Sequence, residues 1–250
     1  FDFDRPNDTV FPALPDTSNF PTVNAAQRLL PTTGVTTAPA VPQPLYQETG
    51  TRLSRALPYE LHASARVEPH GLVSLLFSNT GEQGAVFHVY DKLHLDLIPR
   101  RYTVEAGKLL ADQWNPGASD NGDYDLWVYG ANGFIRSFQG NALAHDAAEF
   151  RPEIQVCYRP ENGHVYLKVH NTGSQAGTVK ITANAYFPGG SWTMKIKAGE
   201  TGTQHWNLNN SGHWYDFTVT AGQMERRFAG RVETGKPSVS DPAMALHLQA

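Results

Sequence analysis

The chain writes one segment twice, and that repetition limits its fold more than any other feature. The stretch from Gly71 to Gly140 returns from Gly163 to Gly230. Gly71-Leu-Val-Ser-Leu-Leu-Phe-Ser-Asn79-Thr80-Gly81 answers Gly163-His-Val-Tyr-Leu-Lys-Val-His-Asn171-Thr172-Gly173. Val104-Glu105-Ala106-Gly107 answers Ile196-Lys197-Ala198-Gly199, and Trp114 answers Trp206. Tyr124-Asp125 recurs as Tyr215-Asp216, and Phe138-Gln139-Gly140 as Phe228-Ala229-Gly230. Matching residues stay 90 to 92 positions apart, from Gly140 and Gly230 to Asn79 and Asn171. That period exceeds the roughly 20–50 residues of a solenoid unit and matches one small β-sandwich of about 100 residues.

From Tyr59 the apolar residues recur at every second place. Tyr59, Leu61, Ala63, Ala65 and Val67 alternate with Glu60, His62, Ser64 and Arg66, the pattern of a half-buried strand. Further strands are predicted at 72–78, 85–91, 102–106, 108–114, 123–130 and 133–139. The second copy gives 153–159, 164–170, 177–187, 192–197, 202–207, 214–220 and 223–229. Short strands punctuated by Asn-Thr-Gly, Ala-Gly and Ala-Asn-Gly predict an all-β fold of two tandem immunoglobulin-like sandwiches, at 46–147 and 148–236. Residues 1–45 are rich in proline and predict an extended arm with one helical turn at 24–30. Residues 237–250 are expected to trail off as a tail.

Composition removes several classes of function. Twenty Lys and Arg against 24 Asp and Glu give a net charge of −4, which offers no basic surface for nucleic acid. A single cysteine, Cys157, excludes an internal disulfide and a thiolate metal cluster. The apolar runs fall far short of the roughly 20 residues a membrane span needs. The opening Phe1-Asp-Phe-Asp4-Arg-Pro6 has neither an initiator Met nor a signal-peptide pattern, as expected of a piece cut from a longer chain.

The repeat is also an internal control, because residues kept in both copies are explained by folding. Asn79 and Asn171 with their glycines read as turn formers tolerant of positive φ, and Trp114, Trp206, Phe138 and Phe228 as core. Asp125 and Asp216, placed between apolar neighbours, are expected to accept hydrogen bonds nearby. Asp120-Asn-Gly-Asp-Tyr-Asp125 is oxygen-rich but lacks the ordered ligands of an EF-hand, so it reads as a polar hairpin turn. No His-Glu-x-x-His, Gly-x-Ser-x-Gly or phosphate-cradling loop occurs, so no catalytic or metal-binding residue is assigned.

Residues that differ between the copies carry more information about function. Lys92-Leu-His-Leu95-Asp-Leu97-Ile98-Pro-Arg100-Arg101 in copy one is replaced by Asn184-Ala-Tyr-Phe187-Pro-Gly-Gly-Ser-Trp192 in copy two. Leu97, Ile98, Arg100, Arg101, Phe187 and Trp192 are therefore candidates for contact with a membrane or with another domain of a parent chain. Length and charge favour the other domain.

Several stretches together resemble the C-terminal region of bacterial phosphocholine-preferring phospholipases C. They are Leu57-Pro-Tyr-Glu-Leu-His62, Gly84-Ala-Val-Phe-His-Val-Tyr90, Pro99-Arg-Arg-Tyr-Thr-Val-Glu-Ala-Gly107, Gly122-Asp-Tyr-Asp-Leu-Trp-Val128 and Gly133-Phe-Ile-Arg136. Phe1-Asp-Phe-Asp-Arg-Pro6 with Phe11-Pro-Ala-Leu-Pro15 looks like the close of the family's catalytic domain. The resemblance implies an exported parent enzyme that hydrolyses phosphatidylcholine, and sphingomyelin, to phosphocholine and diacylglycerol or ceramide. It implies an upstream alkaline-phosphatase-like domain holding a divalent metal, with these repeats as accessory modules that carry no cofactor of their own. The implied partners are that catalytic domain and a membrane surface. The rivals are a free-standing glycan-binding module using Trp192, Trp214 or Tyr186, and a plain spacer.

Overall fold

The computed structural model describes residues 50–244, and the arm with its helical turn at 24–30 lies outside them. In chain order the first strands are β1 (Leu53–Ser54), β2 (Leu61–Glu68), β3 (Leu72–Asn79), β4 (Ala85–Asp91) and β5 (Arg100–Val104). Copy one continues with β6 (Lys108–Trp114), β7 (Asp123–Tyr129) and β8 (Ile135–Asn141). Copy two brings β9 (Pro152–Arg159), β10 (His164–Asn171), β11 (Gly177–Ala185) and β12 (Ser191–Ile196). It ends with β13 (Thr201–Trp206), β14 (Trp214–Ala221), β15 (Met224–Arg231) and β16 (Ser238–Val239). The fourteen predicted strands all form, with ends within two residues of those expected.

Alternation in the sequence becomes alternation of burial. Val73, Leu75 and Phe77 on β3 are buried completely, as are Val165, Leu167 and Val169 on β10. In copy one the sheet β2-β3-β6 faces β5-β4-β7-β8, and in copy two β9-β10-β13 faces β12-β11-β14-β15. Phe77, Phe87, Leu126 and Phe138 belong to one core, and Leu167, Ile181, Phe217 and Phe228 to a second, separate one. Burying each of these side chains stabilises its sandwich by about 1.5–3 kcal/mol.

The two sandwiches are joined edge to edge. β8 pairs antiparallel with β15, so the two larger sheets fuse into one of eight strands, with β5 and β12 at its ends. Arg136 lies opposite Phe228 and Phe138 opposite Arg226, the same pairing read from either copy. A local two-fold axis therefore passes through the Ser137–Arg227 pair.

The same symmetry organises two buried arginines, only 1% and 4% exposed. Arg136 donates to the Ala229 carbonyl at 2.7 Å and to the Tyr215 hydroxyl at 2.8 Å, both in the other copy. It also donates to the Tyr158 hydroxyl and lies 4.1 Å over the Phe134 ring. Arg226 reciprocates by donating to the Gln139 carbonyl at 2.8 Å and to the Tyr124 hydroxyl. Neither guanidinium has a carboxylate partner among the described residues. Carbonyl and phenol oxygens and ring faces solvate charges that would otherwise be costly to bury.

Three expectations need correcting. Asn79 and Asn171 do not adopt positive φ. They are buried side chains that staple loops: Asn79 donates to the Gln83 and Val104 carbonyls at 2.7 and 3.1 Å. Asn171 repeats this on Gln175 and Ile196 at 2.7 and 3.5 Å. The following glycines are needed for close approach instead, since a Cβ on Gly81 would stand 2.5 Å from the Pro58 carbonyl and one on Gly173 2.0 Å from that of Glu149.

The stretch from Asp120 to Asp125 is not a hairpin, because β6 and β7 pair in different sheets. Asn121 and Gly122 take φ of 52° and 91° there, so the turn residues serve a crossover between sheets. The C-terminal tail is pinned as far as Met244 rather than loose from 237. Leu53 and Ser54 pair with Val239 and Ser238, and the Trp214 indole donates to the Val239 carbonyl at 3.0 Å. A two-residue ladder between segments so far apart in the chain leaves no local periodicity to read.

Candidate functional site

The structure divides the six candidate contact residues. The β4–β5 connection is a compact loop held by its own hydrogen bonds: Leu93 N–H donates to the Asp91 side chain at Oδ1 at 3.1 Å and Leu97 N–H to the His94 carbonyl at 3.0 Å. His94 Nε2 meets Asp120 Oδ1 at 2.8 Å, which ties the loop to the β6–β7 crossover and raises the imidazole pKa. With its polar groups thus engaged, the loop turns its apolar side chains outward. Leu97 is 61% exposed and Ile98 84%, with Leu93 and Leu95 at 48% and 60%. Four large aliphatic side chains on one short loop are a patch rather than scattered exposure.

Arg100 stacks 4.2 Å over Trp114 and pairs with Asp112 at 2.7 Å, so it buttresses the loop's return. Arg101 is exposed on edge strand β5, opposite His88. Phe187 and Trp192 instead pack against the second core, with Trp192 5.3 Å from Trp206 and Phe187 6.2 Å from Trp192. Two of the three proposed glycan platforms are also engaged elsewhere. Trp214 is 5% exposed, and the Tyr186 hydroxyl donates to Asp241.

Beside the loop, on the outer face of the eight-stranded sheet, lies an open groove of about 460 Å³ lined by His88, Tyr90, Lys92, Leu95, Trp127 and Tyr129. Tyr90 stands opposite Trp127, and His88 opposite Tyr129, across the β4–β7 pair. Tyr90 and Tyr129 meet edge to face at 5.6 Å, and Trp127 lies 6.1 Å from Tyr129. Lys92 Nζ sits 4.3 Å over the Trp127 ring. Asp125, next on that face, has a buried Oδ1 without a hydrogen-bond partner among the described residues. Burial pushes its carboxyl pKa up, opposed by a hydrogen bond from Trp127 and the charge of Lys92.

Copy two lacks these rings at the matching places. Its register sets Thr182 opposite Thr218 and Lys180 opposite Thr220, an ordinary polar sheet face. There Asp216 is satisfied by Arg227, through Nε at 3.0 Å and a second nitrogen at 2.6 Å, and by Asn184 at 2.7 Å. Reading the two copies against each other at outward positions was the signal available in the sequence for the groove. The loop difference alone pointed beside it.

Among the described residues no group of three or more His, Cys, Asp or Glu side chains is placed to hold a metal, and no helix is long and apolar enough to cross a membrane. Fold and site together define a duplicated β-sandwich module that presents an apolar loop and an aromatic groove. The sequence profile of the bacterial phospholipase C C-terminal domain matches twice, at 53–141 and 152–231, once for each sandwich, and the chain belongs to that family. Its relatives include a non-hemolytic phospholipase C of Pseudomonas aeruginosa, 42% identical over 98% of this chain and 36% of the relative. Another non-hemolytic phospholipase C, from Burkholderia pseudomallei, is 40% identical over 98% of this chain and 35% of its own. A hemolytic phospholipase C of Pseudomonas aeruginosa is 37% identical over 79% of this chain and 30% of its own. The chain thus spans about a third of the length of these relatives.

Proposed function

We propose that this chain is the accessory C-terminal region of an exported bacterial phospholipase C and that it presents an upstream catalytic domain to phospholipid surfaces. In this reading the parent enzyme cleaves phosphatidylcholine, and sphingomyelin, to phosphocholine and diacylglycerol or ceramide. The hydrolytic residues, and the divalent metal they use, belong to the upstream domain. The observation that carries the reading is the exposed aliphatic loop, Leu93 to Ile98, on a chain whose relatives are phospholipases. Aliphatic side chains flanked by Lys92, Arg100 and Arg101 suit an interface where acyl chains lie below and phosphates above.

Two measurements on the full chain test this. A chromogenic choline phosphodiester is expected to stay uncleaved with or without added zinc or calcium, and turnover would place the chemistry inside these residues. In vesicle co-sedimentation, replacing Leu97 and Ile98 by Ser removes apolar contact of about 1.5–3 kcal/mol each, so binding is expected to weaken at least about tenfold. Binding unchanged by those replacements contradicts the membrane role.

A further inference from the structure

The groove beside the loop is built from residues the fold does not require. Copy two makes the same strands in the same register with Thr182, Thr218 and Thr220 where copy one has Tyr90, Trp127 and Tyr129. Three threonines thus suffice for the sheet, and the three rings call for another explanation.

We propose that the groove of copy one receives the headgroup of a choline phospholipid displayed in a bilayer. Its quaternary ammonium rests against Tyr90, Trp127 and Tyr129, and its phosphate is met by Lys92. This rests on the reading that the chain meets a lipid surface. A trimethylammonium group offers no N–H, so it cannot be recognised by hydrogen bonds, and ring faces are the chemistry that attracts it. The groove already holds a cation in that place, since Lys92 Nζ lies 4.3 Å over Trp127. The headgroup displaces this ammonium and supplies a phosphate for it to move to, so both charges of the zwitterion are answered. Asp125, with one buried oxygen lacking a hydrogen-bond partner among the described residues, adds negative charge on the same strand face. Arg101, exposed opposite His88, adds positive charge at the margin. Leu95 belongs both to the groove lining and to the exposed loop. A loop seated among acyl chains therefore sets the groove beside it at headgroup depth.

The test gives copy one the residues of copy two: Tyr90→Thr, Trp127→Thr and Tyr129→Thr together, with thermal unfolding as the control for folding. Vesicles of dioleoyl phosphatidylcholine and of dioleoyl phosphatidylglycerol are compared by co-sedimentation, using the full chain. The wild-type chain is expected to prefer the choline vesicles. The triple variant is expected to lose at least about tenfold in affinity for them while binding phosphatidylglycerol as before. Unchanged choline-vesicle binding by a folded triple variant overturns the headgroup site. So does equal wild-type binding to both vesicles, while a loss of both kinds of binding in the Leu97→Ser, Ile98→Ser variant keeps the membrane reading standing. Absence of binding to either vesicle overturns both.

Discussion

Asp125 and Asp216 occupy one place in two copies of a fold, and their neighbours set them apart. Asp216 faces Arg227 and Asn184, which hold both of its oxygens. The register puts Ser137 and Lys92 where those partners would stand, and Asp125 keeps an oxygen without one among the described residues. The expectation that both carboxylates find donors therefore holds in full for copy two, while in copy one Trp127 donates to Asp125 and one oxygen is left without a partner among the described residues. His213 shows a second residue-scale effect. It takes a φ of 71°, and burial holds its imidazole below the ordinary value near 6.5, against a hydrogen bond with Gly163. The folded chain takes up this proton less readily than the unfolded chain. Stability from this site is therefore full at higher pH and declines as pH falls through 6.5 toward the folded value. Urea unfolding at about pH 7.5 and about pH 5.5 should show a smaller decline in His213→Asn, which keeps a residue tolerant of positive φ. An identical decline would remove His213 from the account.

At the scale of elements, the junction of β8 and β15 decides whether the two sandwiches behave as one body. Tyr215→Phe removes one hydroxyl that Arg136 donates to, leaving a buried guanidinium nitrogen with Tyr158 as its remaining phenol. That should lower stability by about 1–3 kcal/mol, and Tyr124→Phe should match it from the other side of the two-fold axis. A loss below about 0.5 kcal/mol in both would mean that the clasp contributes nothing measurable. The strands themselves were legible because each buries one face, so Val73, Leu75 and Phe77 print a period of two. The clasp was not legible, because alternation sets Arg136 on the inward face with Phe134 and Phe138 but names no partner for a charge there. Only the partner strand, some ninety residues away, shows that Arg136 and Arg226 point into a joint. The pairing of β1 with β16 was hidden for the same reason.

For the whole molecule, duplication supplied the architecture, and the proposed function rests on the divergence between the copies. Both copies use their shared residues for cores and loop staples; the cores were readable from alternation, whereas Asn79 and Asn171 read as turn formers and proved to be buried staples. The apolar loop at Leu97 and Ile98 was also readable, as a difference between copies. Phe187 and Trp192 share its composition, but a second core lies within their reach, and composition does not distinguish a rim from a surface. The groove was not legible in the sequence because its rings are spread over two strands, and strand pairing brings them together. In the proposed function copy one is the lipid-facing half and copy two its support. Amide hydrogen exchange of the full chain, with and without dioleoyl phosphatidylcholine vesicles, tests that division directly. Protection is expected at 92–99 and along β4 and β7, with 184–192 unchanged. Protection centred on copy two, or none anywhere in the chain, would contradict it.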